Sequence, residues 1–240
     1  MRIASYNIRK ARGLDQRRAP DRIVEIIAGL SADVVVLQEA DLRLGPRPSA
    51  LPRQLIEEST EFQVVPLGAT EESLGWHGNA VLVRRGLEFS AVTRHELPGL
   101  EPRGAVSVLV SGAAQIRILG VHLGLLRPYR RRQLEAIRAL VDDGLGPRTV
   151  IAGDFNEWSA RHTLTPLQPG FDLVPEQLSF PAAYPVAALD RMAFGADLSL
   201  THFGVEAHPK SRTASDHLPI LAEFAVRRGE PRPTPVSGVD

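Results

Sequence analysis

Four consecutive apolar residues, Val34, Val35, Val36 and Leu37, constrain this chain more than any other feature. A strand with no polar position on either face is buried on both. Val150, Ile151 and Ala152, entered through Thr149, make a second, shorter run. Both suggest sheets covered on two sides, as in layered α/β proteins.

The rest of the chain agrees. Residues 3–7 alternate as a strand, and further strands are predicted at 62–66, 79–84, 87–95, 105–110, 116–121, 189–193 and 218–226. Ile23, Ile26, Ile27 and Leu30 follow helical spacing, as do Leu134, Ile137, Leu140 and Val141 on a segment whose other face is charged. Residues 41–53 and 165–188 are rich in proline and read as loops. The expected organisation is one domain over 1–226, with many strands, few helices and sheets packed face to face. A polar tail with Pro231, Pro233 and Pro235 follows at 227–240 and is expected to be disordered.

Composition removes several kinds of chemistry. There is no cysteine, which excludes disulfides, thiol catalysis, cysteine-ligated zinc and iron–sulfur clusters. Twenty-eight basic residues balance twenty-eight acidic ones, unlike a wholesale polyanion binder. No apolar run is long enough to span a membrane, and the first residues show no signal-peptide stretch, so the expected location is the cytoplasm. There is no Gly-x-Ser-x-Gly elbow or His-Glu-x-x-His pair, and neither Lys10 nor Lys210 lies in a Walker-type phosphate loop.

The informative residues stand where apolar strands stop. Asn7 ends the first strand, Glu39 follows 34–38, and His122 follows 116–121. Asp154 and Asn156 follow 149–152, Asp190 lies in a predicted strand, and Asp216 and His217 precede the last one. Singly, an Asp or Asn there is a turn residue bonding its own backbone. Together they form a set of hard oxygen ligands suited to Mg²⁺ or Mn²⁺, with histidines able to move protons near neutral pH. That set fits hydrolysis of a phosphate ester.

The chain resembles the endonuclease/exonuclease/phosphatase superfamily, which includes pancreatic-type deoxyribonucleases, abasic-site endonucleases, sphingomyelinases and inositol-polyphosphate phosphatases. The matching segments, in order, are Ser5-Tyr6-Asn7-Ile8, Leu37-Gln38-Glu39-Ala40-Asp41, Gly78-Asn79-Ala80-Val81-Leu82, Glu101-Pro102-Arg103-Gly104, Val121-His122-Leu123, Arg132-Gln133-Leu134, Gly153-Asp154-Phe155-Asn156, Phe180-Pro181, Leu189-Asp190-Arg191 and Ser215-Asp216-His217-Leu218-Pro219-Ile220. The resemblance implies a four-layer α/β sandwich, with two packed, mostly antiparallel sheets flanked by helices and the site at one end of the sheets.

It also implies roles. Glu39 would be the chief Mg²⁺ ligand, with Mn²⁺ as a substitute, assisted by Asn7 and Asp216. Asp154 would orient or deprotonate the attacking water, and Asn156 would hold a phosphate oxygen. His217, oriented by Asp190, would contact the scissile phosphate and exchange protons. His122 matches the second histidine of the deoxyribonuclease, sphingomyelinase and inositol-phosphatase branches, where abasic-site endonucleases usually carry tyrosine. Asn79 and Arg103 lie in matching segments and are expected at the substrate, as is Arg191, which departs from the aromatic residue of many members. Arg191 fits a phosphate contact or a surface ion pair equally.

The expected partner is a phosphate ester, nucleic acid ahead of a phospholipid or inositol phosphate, acted on by a monomer. A catalytically inactive, binding member is the reading from another class, although Glu39, Asp154, Asn156, Asp190 and His217 are all present. Two basic clusters, Arg9 to Arg18 and Arg127 with Arg130 to Arg132, read either as a phosphate track or as solvated faces. Trp158 reads as a stacking platform, a lipid contact or a buried anchor. Gly75-Trp76-His77-Gly78 reads as a turn at the rim of the site.

Overall fold

The computed structural model describes residues 1–158 and 164–227. In chain order its strands and α-helices are β1 (Arg2–Asn7), α1 (Pro20–Gly29), β2 (Val34–Gln38), α2 (Arg53–Ser59), β3 (Phe62–Val64), β4 (Ala80–Arg84), β5 (Glu88–Leu97), β6 (Arg103–Ser111), β7 (Gln115–His122), α3 (Arg127–Leu140), β8 (Thr149–Asp154), β9 (Phe171–Leu173), β10 (Asp190–Gly195), β11 (Leu198–Val205), α4 (Ser211–Ala214) and β12 (Ile220–Val226). They form two six-stranded sheets, ordered β11-β12-β1-β2-β4-β3 and β5-β6-β7-β8-β10-β9. One pair in each sheet is parallel, β1 with β2 and β7 with β8, and the other pairs are antiparallel.

Strand alternation assigns side chains to three separate cores, and so builds four layers. Val35 and Leu37 of β2 pack with Ile23 and Ile27 of α1. Val34 and Val36 face the other way, against Val106, Ile118 and Val150 of the second sheet. Ile151 and Leu119 of that sheet turn outward onto Leu134 and Ile137 of α3. The sheets approach closely at Gly120, where a Cβ would meet Val36 Cγ1 at 2.8 Å. α1 starts on Pro20, whose fixed φ suits a first helical position. No helix among the described residues is long and apolar enough to cross a membrane.

Four elements differ from the sequence expectation. α2 begins where the proline-rich loop was expected to end, β9 falls inside the expected loop 165–188, and β11 and the four-residue α4 had no predicted counterpart. β9 and β11 are edge strands, and β11 is half-exposed with a register shift between Leu200 and His202, so neither carries an all-apolar run. At the C-terminal end Arg227 is still tied to the fold, donating from its backbone to Asp197 O at 2.7 Å and from Nε to Leu198 O at 2.9 Å. The remainder of the expected tail, 228–240, lies outside the described residues.

Candidate active site

The inter-sheet core turns polar at one end, and this is what assembles the site. On β1 the face that carries Ile3 continues to Ser5 and Asn7. On β7 the face of Ile116 and Ile118 continues to His122, and on β8 the face of Val150 and Ala152 continues to Asp154. Asp190 starts the Met192 and Phe194 face of β10. Pairing then brings these residues level, with His122 opposite Asp154 and Asp154 opposite Asp190.

Asp154 is the hub. Its Oδ2 accepts from Asn7 Nδ2 at 2.9 Å and lies 3.5 Å from His122 Nε2 and 3.8 Å from His217 Nε2. Its Oδ1 accepts the backbone N–H of Asn156 at 2.9 Å, and Asn156 Nδ2 donates to Leu123 O at 2.8 Å. His217 Nδ1 lies 2.8 Å from Asp190 Oδ2, and Ser179 Oγ donates to the same oxygen at 2.5 Å. Asp216 Oδ1 is 4.0 Å from His217 Nε2. Ser215 Oγ donates to Asn7 O at 2.7 Å, so the segment before β12 is fastened to the end of β1.

The charges of these groups follow from their surroundings. Burial pushes the Asp154 carboxyl up to about 6, against the pull of His217. Burial opposes the charge of His217, but the carboxylates of Asp190, Asp154 and Asp216 outweigh it and push His217 up to about 10. Burial, with the positive charges of Arg103 and His217, holds His122 well below its ordinary value. At neutral pH the set is therefore an ionised Asp154, a protonated His217 and a neutral His122.

Glu39 stands across the site on a left-handed turn, with φ +54. Gly78, also at positive φ, passes its backbone beside the Glu39 Cα. Lys10 Nζ bonds Glu39 Oε2, and Arg9 Nε lies 3.2 Å from Asp216 Oδ2. Neighbouring cations thus sit on two of the three expected metal ligands, a mark of concentrated negative charge. Asn7 Oδ1, Glu39 and Asp216 offer the hard oxygens that Mg²⁺ or Mn²⁺ takes, so the residues fit the ion. Asp154, Asp190 and His217 also lie with ligand atoms within 4.8 Å of one another. Asp190 and His217 already bond each other, and a protonated His217 has no lone pair to give.

The structure separates the remaining expected residues. Asn79 is wholly buried and donates to Gly104 O at 2.9 Å. Arg191 Nη1 meets Glu176 at 2.9 Å, and its Nη2 donates to Glu157 O at 3.4 Å. Arg103 lies beside His122 on the wall of a cavity of about 160 Å³, with Glu101 at 3.0 Å from its Nη2. Arg130, read above as part of a basic cluster, is buried against Glu157 at 2.8 Å and donates to Leu125 O at 2.5 Å, so it braces the loop after β7. Trp158 is 65% exposed and therefore no buried anchor; it packs edge-on against Phe180, whose ring lies 4.9 Å from that of His217. Sequence reasoning gave no role to Ser179, Ser215 or the Lys10 and Glu39 pair. Ser215 sat in a quoted motif, and Ser179 had only its position beside Phe180-Pro181 as a signal.

Residues 4–217 match the model of the Endonuclease/Exonuclease/phosphatase family. No curated protein sequence matches the chain. Solved structures do resemble it. A conserved protein of unknown function from Enterococcus faecalis V583 has a TM-score of 0.77 at 18% identity, covering 95% of this chain and 100% of that one. The Bacteroides thetaiotaomicron mannosyl-6-phosphatase Bt3783 gives 0.72 at 14% identity, with 94% and 99% covered. D. rerio TDP2 complexed with single-strand DNA product gives 0.69 at 17% identity, also with 94% and 99% covered.

Proposed function

Because the chain belongs to the endonuclease/exonuclease/phosphatase family and is a phosphate-ester hydrolase by that membership, we propose that it is a Mg²⁺-dependent phosphodiesterase, with nucleic acid as the first substrate to try. The observation that carries the reading is the convergence of Asn7, His122 and His217 on Oδ2 of Asp154. An ionised carboxylate whose pKa is pushed up to about 6 is near the strength that best accepts a proton from water at neutral pH. Asp154 would take that proton as the water oxygen bonds to phosphorus. His217, held by Asp190, would place its positive charge on the phosphoryl oxygens. As the bond from phosphorus to the leaving oxygen breaks, neutral His122 would donate a hydrogen bond from its ring N–H to that oxygen, which takes its proton from solvent, and Asn156 would hold a phosphate oxygen. Asn7, Glu39 and Asp216 would hold Mg²⁺ or Mn²⁺, which when bound supplies positive charge to the phosphate.

Support for a diester comes from His122, the histidine shared with the diesterase branches. Support for nucleic acid comes from the exposed Trp158 beside Phe180 and His217, a face on which a base can stack. We take the enzyme as a monomer acting in the cytoplasm, which sizing in solution and cell fractionation test. A screen with Mg²⁺ against nucleic acid, phospholipid and inositol-phosphate substrates, with Glu39→Gln as the blank, tests the function. Turnover of a lipid or inositol phosphate with none of nucleic acid moves the substrate to that branch. No turnover of any ester leaves the inactive, binding reading.

A further inference from the structure

The cavity between Glu39 and His122 is lined by more cations than the reaction just described uses. Lys10, Arg43, Arg47 and Arg103 border it, together with Glu39, Asp41 and Glu101. Two of the acids already have cations, Glu39 with Lys10 and Glu101 with Arg103. Asp41 is buried and accepts the backbone N–H groups of Leu74 at 2.7 Å and Gly75 at 3.1 Å. Arg43 approaches Glu39 only to 3.9 Å, and Arg47 Nη1 contacts His77 Nδ1 at 2.8 Å. Guanidinium can only donate, so His77 Nδ1 is the acceptor and its Nε2 carries the hydrogen. That Nε2 is buried, with the carboxylate of Glu96 3.6 Å away. Arg103 is 6% exposed, and its Nε is buried and without an acceptor among the described residues.

Four cations line this cavity against three acids, Arg43 comes no nearer a carboxylate than 3.9 Å, and Arg47 has no ion pair among the described residues, so the space favours an anion from outside. At about 160 Å³ the space holds roughly five waters' worth of liquid, the scale of one phosphate with its ester oxygen rather than a drug-sized group. Its walls are also fixed in advance. Asp41 joins the loop that carries Arg43 and Arg47 to the Gly75-Trp76-His77-Gly78 turn, so the donors stand in place before any ligand arrives.

We propose that this cavity is a subsite for a second phosphate of the substrate, held by Arg43, Arg47 and Arg103 while the scissile phosphate sits at Asp154. The inference rests on the phosphoesterase reading and narrows it to esters that carry a second phosphate near the first. Such a phosphate belongs to the next position of a nucleic-acid strand or to a small bisphosphate.

Two pairs of probes separate these sources: a thymidine dinucleotide with and without a 5′-phosphate, and a hexose bisphosphate against the hexose monophosphate, all with Mg²⁺. The second phosphate should raise kcat/KM about tenfold or more in one pair, the scale of one charge-assisted hydrogen bond. A gain in the nucleotide pair assigns a strand, and a gain in the sugar pair assigns a small molecule. Arg47→Met should bring that ratio to about one through KM, and Arg43→Met should lower it in a protein whose fold is checked independently by circular dichroism. Equal kcat/KM within both pairs, or a ratio untouched in both variants, overturns the subsite. If no probe is turned over, the phosphoesterase reading has failed, and calorimetric titration with the same four compounds decides the subsite. Tighter binding of a doubly phosphorylated probe that Arg47→Met abolishes supports it, and equal affinities overturn it.

Discussion

The side-chain amide of Asn7 donates to Oδ2 of Asp154 at 2.9 Å, joining two residues 147 positions apart across the gap between the sheets. It is at once a seam of the sandwich and a contact at the hub of the site. Asn7→Ala should cost about 1–3 kcal/mol of stability in urea unfolding, since a buried carboxylate loses a donor. With that donor gone, Asp154 should protonate at still higher pH, so the acid limb of the activity profile should move up. An unmoved limb together with a stability change below about 0.5 kcal/mol, the range of an ordinary surface substitution, would mean that the bond does neither.

Metal removal is the second test. Excess chelator should abolish turnover, and Mg²⁺ or Mn²⁺ should restore it. Glu39→Gln should weaken binding of the ion in calorimetry while leaving Tm near the wild-type value, because Glu39 is a turn residue at the end of β2 rather than part of a core. Full activity in chelator would end the metal-dependent reading.

A third prediction follows from the Asp190 and His217 pair. Asp190 is the chief group holding the His217 proton, against burial, which favours losing it. Asp190→Asn therefore lowers the pKa of His217 from about 10, and the protonated form is lost at lower pH. The alkaline limb of kcat should shift down. A limb that stays in place would show that the charge of His217 is not needed for turnover.

How far the sequence carried the fold and the site can be read from single residues. Asn7, His122, Asp154 and Asp190 were legible because each stands at an end of an apolar strand, where a polar residue interrupts a visible pattern. The two-face burial of β2 was legible from its apolar run. The partners of Arg130 and Lys10 were not. Arg130 looks like its neighbours Arg131 and Arg132, yet it is buried on Glu157, 27 residues away. Lys10 meets Glu39, 29 residues away, through a left-handed turn at Arg9, Lys10 and Ala11 that no residue type announces. Such pairings are set by which strand ends and loops the topology brings side by side within a sheet and its helix, which local pattern does not encode. β11 escaped because a half-exposed edge strand has a weaker alternation than a buried one.

Asp154→Asn and His217→Ala should each lower kcat by at least ~10²-fold, the usual scale for a positioned proton-transfer group. Their nearest atoms are 3.8 Å apart, and they serve one transition state, so the double variant should lose little more than the worse single one. Losses that multiply independently would argue that the two do not act on the same phosphate.

The last prediction separates two adjacent arginines that composition treats alike. Arg127 and Arg131 line an open cleft along α3, beside Glu157 and so next to Asn156. Arg131 is largely exposed, with only Glu135, at 3.1 Å, as ion-pair partner among the described residues, whereas Arg130 is spent on Glu157 inside the protein. If a single strand leaves the site over this cleft, two phosphate contacts give a slope of log Kobs against log salt of roughly −1.4. Arg127→Ala with Arg131→Ala should flatten that slope and leave stability within about 0.5 kcal/mol. Arg130→Ala should do the reverse, leaving the slope near its wild-type value while costing about 1.5–3 kcal/mol for the lost charge-assisted bonds to Glu157. Binding of single-stranded DNA across a salt series and urea unfolding of the same three proteins decide it. A flat response in the wild-type chain would take nucleic acid off α3.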